Sequence, residues 1–367
     1  MRRLPADHTI RFAIVGSGYI SQTHVDSLRR VPGTVISRSW SRSAERARAF
    51  AEHNSIPRFS TSWEEIVADP EVDAVCVNTP NYLHGAVILA AARAGKHVIC
   101  EKPLTLDLAE ARRCIDACRE AGVILGYAEE LCFVPKFGRA KQLLDQGAFG
   151  DVYMVRQAEK HAGPYSPWFF TREEAGGGIV MDMGCHAIEC CRWLLGKPRV
   201  EAVTAHMATY LHGAVTELED HMLAILELQG GKIAVVESSW ALKGGMSSIV
   251  EINGTAGVLK TDVTLGSGMQ VFSEVGYDSP PEERRGWTFP MYEELWQNGY
   301  PQEMQHFADC MRSGAAPSES GEDGLAVLEI MLAAYASAGE GRRVTLPYSP
   351  PSNTEFPVDL WLKGRRR

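Results

Sequence analysis

The sequence predicts an α/β protein with an N-terminal parallel sheet and a C-terminal α/β domain that carries a largely antiparallel, open sheet. Three observations predict this fold class. The chain has 367 residues, more than the roughly 100–200 residues of a usual single domain. Short apolar runs alternate with helical periodicity over the first third. Strand-like runs then follow one another directly in the second half. We therefore expect one domain at residues 1–128 and a second at 129–367.

The first third of the chain contains short strands separated by helices. The predicted strands are 10–15, 35–40, 74–77, 97–100 and 123–125, and the predicted helices are 21–30, 85–94 and 108–120. Because a helix separates the strands along the chain, the strands are expected to pair in parallel, with helices on both faces of the sheet.

The pattern changes after residue 127. Four strand-like runs are joined by short glycine-containing turns, which are typical of antiparallel pairing. The predicted order is a helix at 136–146, a strand at 152–159, a glycine turn at 176–178, a helix at 179–195, strands at 200–209, 221–228, 232–240 and 248–253, helices at 303–312 and 323–338, and a strand at 344–346. This order predicts the second, largely antiparallel sheet.

Composition excludes several classes of protein. With 45% hydrophobic and 23% charged residues the chain is neither disordered nor fibrous. Its 37 basic and 46 acidic residues give a net charge of −9, which argues against a nucleic-acid partner. We interpret the basic residues 365–367 as a solvated tail. No apolar run approaches the ~20 residues that span a bilayer, so no membrane partner is expected.

The cysteines and the first residues predict a cytoplasmic protein. The first eight residues are basic and polar without an apolar stretch, so a secretory signal is not expected. The nine cysteines are odd in number and lie mostly in apolar periodic segments. That usage is typical of packed thiols in a reducing compartment.

A glycine-rich loop predicts a nucleotide site. Gly16-Ser17-Gly18-Tyr19-Ile20-Ser21 follows a strand and opens a helix. Gly16 allows the tight turn, and Gly18 allows the backbone to approach a pyrophosphate. The pyrophosphate would then lie on the free N–H groups of the helix. The loop therefore favours a Rossmann nucleotide-binding site that includes Tyr19 and Ile20, with an ordinary glycine turn as the alternative.

The end of the second strand favours NADP over NAD. NAD sites usually carry Asp or Glu there to bind the ribose 2′-hydroxyl, whereas this chain has Ser41 and Arg42. A hydroxyl and a guanidinium suit a 2′-phosphate. Alternatively, Arg42 opens a solvated helix. Arg38, inside the strand, is a second candidate to contact the phosphate.

Three further stretches carry a resemblance. They are Asn78-Thr79-Pro80-Asn81-Tyr82-Leu83-His84, Gly95-Lys96-His97-Val98-Ile99-Cys100-Glu101-Lys102-Pro103, and Gly176-Gly177-Gly178-Ile179-Val180-Met181-Asp182-Met183-Gly184-Cys185-His186. In this order and spacing the chain resembles the Gfo/Idh/MocA family of glucose–fructose oxidoreductase and inositol dehydrogenase relatives. The resemblance covers nearly the whole chain. The Glu-Lys-Pro element together with Asp-x-x-x-His is specific to that family.

The resemblance implies a nicotinamide-dependent oxidoreductase with its active site between two domains, and a homo-oligomer formed through the open C-terminal sheet. Lys102 matches the catalytic lysine, Asp182 the substrate-binding aspartate and His186 the catalytic histidine. A cis bond often precedes the proline that matches Pro103. The residues that match cofactor-lining positions are Thr79, Asn81, His84, Glu101 and Lys102.

Some positions depart from the family pattern. Ser41 and Arg42 replace the acidic residue of NAD-preferring members, and Glu189 stands where many members have Asp. Residues 129–133 differ from the Asn-Arg-Phe pattern often found there, which leaves the identity of the substrate open.

The spacing of the candidate catalytic residues fits proton transfer. Asp182 and His186 are four apart, so on a helix they project from one face, and a histidine beside a carboxylate is a good general base. The alternative is an exposed i,i+4 pair. Lys102 ends a predicted strand, where ligands bind in open α/β sheets, and could stabilise a developing alkoxide. Its alternative is a surface lysine.

Two other groups of residues were considered as sites. Cys185, Cys190 and Cys191 surround His186, but structural zinc needs a second pair of ligands elsewhere, so packed thiols and no metal are predicted. His161, Tyr165 and Trp168 lie in a Gly-Pro-containing loop and are candidate walls of a substrate pocket, because aromatic faces suit sugar rings. Alternatively, Trp168 fixes a long loop.

These observations predict an NAD(P)-dependent oxidoreductase that transfers a hydride between a secondary hydroxyl or ketone of a sugar, cyclitol or polyol and the nicotinamide. Lys102, Asp182 and His186 are the expected catalytic and substrate-contacting residues, with His161 and Trp168 as further substrate contacts. NADP is the expected cofactor, with NAD as the alternative. Two other functions stay open: a redox-neutral glycosidase or eliminase that oxidises its substrate transiently, and a non-catalytic sensor of nucleotide or sugar.

Overall fold

The computed structural model describes residues 3–263, 271–273, 286–288 and 294–365, so Arg366 and Arg367 of the basic tail lie outside the described residues. The strands are β1 (Ile10–Val15), β2 (Thr34–Trp40), β3 (Arg58–Ser60), β4 (Ala74–Val77), β5 (His97–Glu101), β6 (Leu125–Ala128), β7 (Val152–Lys160), β8 (Val200–Ala208), β9 (His221–Leu228), β10 (Lys232–Ser239), β11 (Ser247–Gly254), β12 (Gly257–Asp262), β13 (Val271–Ser273), β14 (Gly286–Thr288) and β15 (Val344–Thr345).

The helices are α1 (Tyr19–Leu28), α2 (Ala44–His53), α3 (Trp63–Ala68), α4 (His84–Arg93), α5 (Leu108–Ala121), α6 (Pro135–Asp145), α7 (Arg172–Ala175), α8 (Cys185–Leu194), α9 (Glu294–Gln297), α10 (Tyr300–Ser313), α11 (Gly321–Glu340) and α12 (Asp359–Arg365). The three helices predicted in the first third are present as α1, α4 and α5, and the structure has α2 and α3 there in addition. In the described residues, no helix is long and apolar enough to cross a membrane.

The first sheet has the strand order β3-β2-β1-β4-β5-β6, with every pair parallel. The order reverses between β1 and β4, and at that switch point the connections leave in opposite directions and open a crevice at the carboxyl ends of the strands. The predicted α/β class with a Rossmann-type sheet is confirmed. The strand predicted at 123–125 begins later, at Leu125. Val123 still belongs to the C-terminal cap of α5, because its N–H donates to the Cys118 carbonyl after Gly122, whose backbone is left-handed.

Helix α10 packs on the first sheet although it belongs to the distant C-terminal part of the chain. Its apolar face contacts the side chains that alternate along β1, and together they form one of the two apolar clusters of the core. The members from these two elements are Ile10, Phe12, Ile14, Met304, Phe307, Ala308, Cys310 and Met311. The nucleotide-type sheet is therefore completed by residues from beyond 128.

The second sheet has the order β12-β11-β7-β10-β9-β8-β15. Only β7 and β10 pair in parallel, because the chain between them crosses over through α8, and the other neighbours are antiparallel. The largely antiparallel sheet is confirmed. One face packs against α8 and α11, and the other exposes apolar side chains, Tyr153, Leu223, Ile225 and Ile233 among them.

The helix predicted at 179–195 begins with an irregular turn. Residues Val180–Gly184 form a π-helical turn that continues into α8, and nearly every side chain from 179 to 192 is buried. A wider turn changes which residues share a face, so the simple four-residue spacing used for Asp182 and His186 does not describe this segment.

Candidate active site

A cavity of about 670 Å³ lies between the two sheets, at the switch point of the first. It is lined by the glycine loop, by the ends of β2, β4 and β5, by the segment after β7 and by the turn that leads into α8. Predicted site residues that line it are Gly16, Gly18, Tyr19, Ile20, Ser41, Arg42, Thr79, Asn81, Glu101, Lys102, His161, Tyr165, Trp168, Asp182 and His186.

The nucleotide end of the cavity is a backbone cradle. Gly16 has a φ of 147°, and a Cβ there would lie 2.2 Å from the carbonyl oxygen of Asn78, so no other residue fits. A Cβ on Gly18 would meet nothing within 4 Å, which leaves open space above the start of α1. The amide atoms of the Asn78 side chain and Thr79 Oγ1 are buried without a hydrogen-bond partner. Such a cradle fits a dinucleotide, whose polar groups would satisfy those atoms.

The end of β2 carries the residues that are predicted to contact the 2′ group of the ribose. Ser17 Oγ donates to Ser41 Oγ at 2.8 Å, while Arg42 is 57% exposed and pairs with Glu174 at 3.3 Å. Arg46 also lines the cavity. No acidic side chain follows β2 directly. The suggestion that Arg38 contacts a phosphate is wrong, because its guanidinium is turned away from the cavity.

Arg38 is held away from the cavity by two carboxylates that lie just before β4 in the chain. Its Nε donates to Asp69 and its Nη2 to Glu71, both at 2.7 Å, and its side chain is 6% exposed. This pairing explains how a charged residue occupies a strand interior, since a buried guanidinium needs compensating charge.

The end of β5 is fixed by buried polar contacts. Glu101 accepts a hydrogen bond from His24 at 2.9 Å, and the Lys102–Pro103 peptide bond is cis. His84 does not line the cavity: its ring nitrogens lie 2.8 Å from the Pro103 carbonyl and 3.0 Å from the Thr79 carbonyl. It ties together the loop that carries Thr79 and the loop that carries Lys102 and Pro103.

Lys102 and Asp182 form a buried ion pair at the centre of the cavity. Lys102 Nζ donates to the carbonyl oxygen of Asp182 at 2.6 Å and to its Oδ1 at 2.9 Å, and Trp240 Nε1 donates to Oδ2 at 2.8 Å. Burial opposes charge on both groups, but their mutual attraction outweighs it, raising the pKa of Lys102 and lowering the pKa of Asp182. Both are therefore charged at neutral pH.

His186 pairs with a glutamate that sequence reasoning did not assign. Its Nδ1 lies 2.7 Å from Glu129 Oε1 and 3.5 Å from Glu130 Oε2. Burial lowers the pKa of His186 to about 4 and raises the pKa of Glu129 well above its usual range. Asp182 is thus not the carboxylate that orients His186. The only sequence signal was that residues 129–133 depart from the family pattern.

Glu189 does not belong to the site. It is fully buried outside the cavity and pairs with Arg192 and Lys197. Trp240, at the end of the strand predicted at 232–240, was also not assigned, because its role depends on a contact with Asp182 across the fold.

Aromatic rings form one wall of the cavity. His161 stacks on Tyr165 with ring centroids 4.9 Å apart, and Tyr165 stacks on Tyr19 of the glycine loop at 5.0 Å. Trp168 lines the cavity and stacks on Phe169 at 3.8 Å. The loop after β7 therefore reaches over the nucleotide end, and Trp168 has both properties that the sequence suggested: it faces the cavity and it packs within its loop.

Two groups of three side chains in the described ranges have metal-ligating atoms within 4.8 Å of one another: Glu129, Cys185 and His186, and Glu189, Glu319 and Asp323. In the second, the cation is the Lys197 ammonium, 2.9 Å from Glu319 and 2.8 Å from Asp323. In the first, burial raises the pKa of the Cys185 thiol, which donates to the Asp182 carbonyl oxygen at 3.1 Å. Cys190 and Cys191 are buried free thiols.

Comparisons with known proteins agree with this geometry. A family model described as "Oxidoreductase family, NAD-binding Rossmann fold" matches residues 10–129, and "Oxidoreductase family, C-terminal alpha/beta domain" matches residues 141–346. The 1,5-anhydro-D-fructose reductase of Ensifer adhaerens is 33% identical over 90% of this chain and 97% of its own length. The myo-inositol 2-dehydrogenase of Thermotoga maritima is 27% identical over 92% of this chain and 98% of its own.

A solved structure is similar over almost its entire length. The crystal structure of GenD2 from gentamicin A biosynthesis, in complex with NAD, superposes with a TM-score of 0.88 and 32% identity, covering 95% of this chain and 99% of GenD2. The matched models cover both sheets and every residue that lines the cavity except Glu130. The chain is therefore an enzyme of the Gfo/Idh/MocA oxidoreductase family, with an NAD-binding Rossmann fold and the family's C-terminal α/β domain.

Proposed function

We propose that the protein is an NADP(H)-dependent oxidoreductase that transfers a hydride between a secondary hydroxyl or ketone of a sugar, cyclitol or related polyol and the nicotinamide. The observation that carries the proposal is that Lys102, Asp182 and His186 line one cavity between a dinucleotide cradle and an aromatic wall. Relatives named as a 1,5-anhydro-D-fructose reductase and a myo-inositol 2-dehydrogenase support the substrate class.

The preference for NADP rests on the residues at the end of β2. Ser41, Arg42 and Arg46 line the cavity where an NAD site would present a carboxylate. Arg42 offers a charged, planar donor to a 2′-phosphate. Its partner Glu174 lies on α7, and this ion pair would have to open or share the guanidinium when the phosphate binds.

Lys102 is suited to bind the reacting oxygen. The nicotinamide, when bound, accepts or supplies the hydride. An ammonium has three protons, and the contacts of Lys102 Nζ with Asp182 account for two. The third can donate to a substrate oxygen and stabilise negative charge as it develops there. Asp182 is itself fixed by Trp240, so the ammonium is held in place before the substrate arrives.

His186 is suited to exchange the proton of the same hydroxyl. Because Nδ1 contacts Glu129, Nε2 is the ring nitrogen left to exchange a proton with the substrate. When the Glu129–His186 pair holds two protons, Nε2 carries one and can donate to a ketone. After the pair loses a proton, Nδ1 donates to the Glu129 carboxylate and Nε2 can accept from a hydroxyl. The pair thus serves both directions of the reaction.

Assembly and location are also proposals. The outer face of the second sheet exposes apolar side chains on β7, β9 and β10, and we propose that it pairs with a second copy of the chain. Their positions are Tyr153, Leu223, Ile225 and Ile233. All nine cysteines are buried and free, which supports a reducing compartment such as the cytoplasm.

Absorbance at 340 nm tests the proposed reaction. Purified protein is mixed with NADP⁺ or NAD⁺ and with pools of monosaccharides, inositols, sugar acids and glycosides. A rise with NADP⁺ and a polyol pool supports the proposal, and a rise with NAD⁺ alone overturns the cofactor preference. If no pool gives a rise but a glycoside is cleaved, the redox-neutral reaction replaces the net oxidation.

A further inference from the structure

The part of the cavity beyond Lys102, which we call the distal end, carries two largely buried carboxyl groups. It is lined by Glu130, Glu159, His161, Phe169, Met246, Asn298 and Tyr300. Among the described residues, the lysines and arginines that line the cavity are Arg42 and Arg46 at the nucleotide end and Lys102 at the centre. No lysine or arginine of the described ranges lines the distal end.

The charged groups nearer the centre already have partners. Lys102 is paired with Asp182 at 2.9 Å, and Glu101 with His24 at 2.9 Å. Glu129 shares a proton with His186. At the distal end, Glu130 and Glu159 have neither a lysine nor an arginine partner, so a cationic substrate is a source of compensating charge.

Glu159 is the more buried of the two. It is 1% exposed on β7, and its contacts with Gln157, at 2.7 Å, and with Ser248 both reach Oε2. Both contacts are to neutral groups, and burial raises the pKa of Glu159 to about 8. A carboxyl group in this position gains from a bound cation, because the attraction replaces the hydration it lost on burial.

A second, independent feature points to a ligand beside Glu159. His161 lies two residues further along the same strand direction, so it faces the same side. It is 3% exposed, it lines the cavity, and neither ring nitrogen makes a hydrogen bond; Nε2 lies 3.6 Å from Asp182 Oδ2. A buried histidine without hydrogen bonds is costly unless a ligand completes them.

Glu130 places a second carboxyl group at the same end. Its Oε1 lies 3.4 Å from the Tyr300 hydroxyl, and its Oε2 lies 3.5 Å from His186 Nδ1. Burial raises the pKa of Glu130 to about 7. The rings of Tyr300 and Phe169 line the distal end as well, and aromatic faces attract cations in addition to packing on sugar rings.

We propose that the substrate is a polyol that carries a protonated amine, an amino sugar or an aminocyclitol, and that Glu159 binds its ammonium with Glu130 contributing charge. A neutral polyol would leave both carboxyl groups buried without a cation, whereas an ammonium forms charge-assisted hydrogen bonds with them. This inference rests on the proposed oxidoreductase function and specifies its substrate class.

Matched pairs of compounds test the proposal by turnover. Enzyme and NADP⁺ are assayed with D-glucosamine against D-glucose and with 2-deoxystreptamine against scyllo-inositol. We expect the amine to have at least about tenfold higher kcat/KM within a reacting pair, the effect of one charge-assisted contact. Glu159→Gln should remove the preference by lowering kcat/KM for the amine to about the value for its neutral partner. A neutral member that matches its amine in the wild-type enzyme overturns the proposal.

Binding gives an answer even if no compound reacts. Calorimetric titration of the NADP⁺-loaded enzyme with each compound should show tighter binding of the amine, and Glu159→Gln and Glu130→Gln should each reduce that difference. Amine-selective binding without turnover supports the charged site and counts against the proposed oxidation. Equal binding of amine and polyol, or a preference that survives both variants, overturns the inference. Glu322→Gln, on the surface and paired with Arg119, is the matched control.

Discussion

The replacement Arg42→Ala tests the cofactor preference without any knowledge of the substrate. Arg42 lines the nucleotide end of the cavity, and Ser41 beside it is buried and bonded to Ser17. A charge-assisted hydrogen bond contributes about 1.5–3 kcal/mol, which corresponds to roughly 10- to 150-fold in affinity. Because the Arg42 side chain is 57% exposed, we expect the lower end of this range, about a tenfold loss of affinity for NADP⁺. The affinity for NAD⁺, which lacks the 2′-phosphate, should change by less than about twofold.

The ion pair between Arg42 and Glu174 predicts a second change in NADP⁺ affinity. An exposed pair contributes about 0–1 kcal/mol, so Glu174→Gln should free Arg42 and raise NADP⁺ affinity by up to about fivefold. Titrations that follow tryptophan fluorescence with NADP⁺ and NAD⁺ at fixed ionic strength measure both effects. Arg48→Ala, on α2 just after Arg42 in the chain but outside the cavity, is the control. Equal losses for the two nucleotides in Arg42→Ala would refute the reasoning.

Three further predictions concern the centre and the cradle. Lys102→Met should lower kcat about 10²- to 10³-fold with NADP⁺ affinity nearly intact, and a residual rate above a tenth would exclude a role at the reacting oxygen. Oxidation should speed up as pH rises and the Glu129–His186 pair loses a proton. In Glu129→Gln, stopped-flow rates should become flat with pH, since the pKa of His186 is lowered to about 4; an unchanged profile contradicts the pairing. Gly16→Ala should lower the free energy of unfolding by about 1–3 kcal/mol and abolish nucleotide binding. Gly138→Ala, at a position on α6 where a Cβ meets nothing within 4 Å, should do neither.

The local elements were predictable because they depend on patterns that neighbouring residues share. Alternating apolar runs and helices are sufficient to predict the parallel sheet, and the glycine loop is followed by α1 as expected. Helix α10 shows the limit of this reasoning. Its own periodicity predicts a helix, yet nothing in it indicates that Phe307 packs against β1, nearly three hundred residues earlier.

The residues of the candidate site were likewise predictable only in part. Lys102, Asp182 and His186 could be selected from the sequence, since a motif places each at a strand end or helix start. Their partners could not. Glu129 and Trp240 come from separate elements, and only packing brings Glu129 to 2.7 Å from His186 and Trp240 to 2.8 Å from Asp182.

The sequence by itself therefore determined the fold class, the glycine loop and the choice of Lys102, Asp182 and His186 as candidate site residues, because periodicity and short motifs are local properties of the chain. The tertiary structure decided which carboxylate orients His186, where Arg38 points, and that two glutamates without a lysine or arginine partner lie at the distal end of the cavity. These features depend on burial and on the distances between residues far apart in the chain, and it is burial that makes a charge without a partner costly.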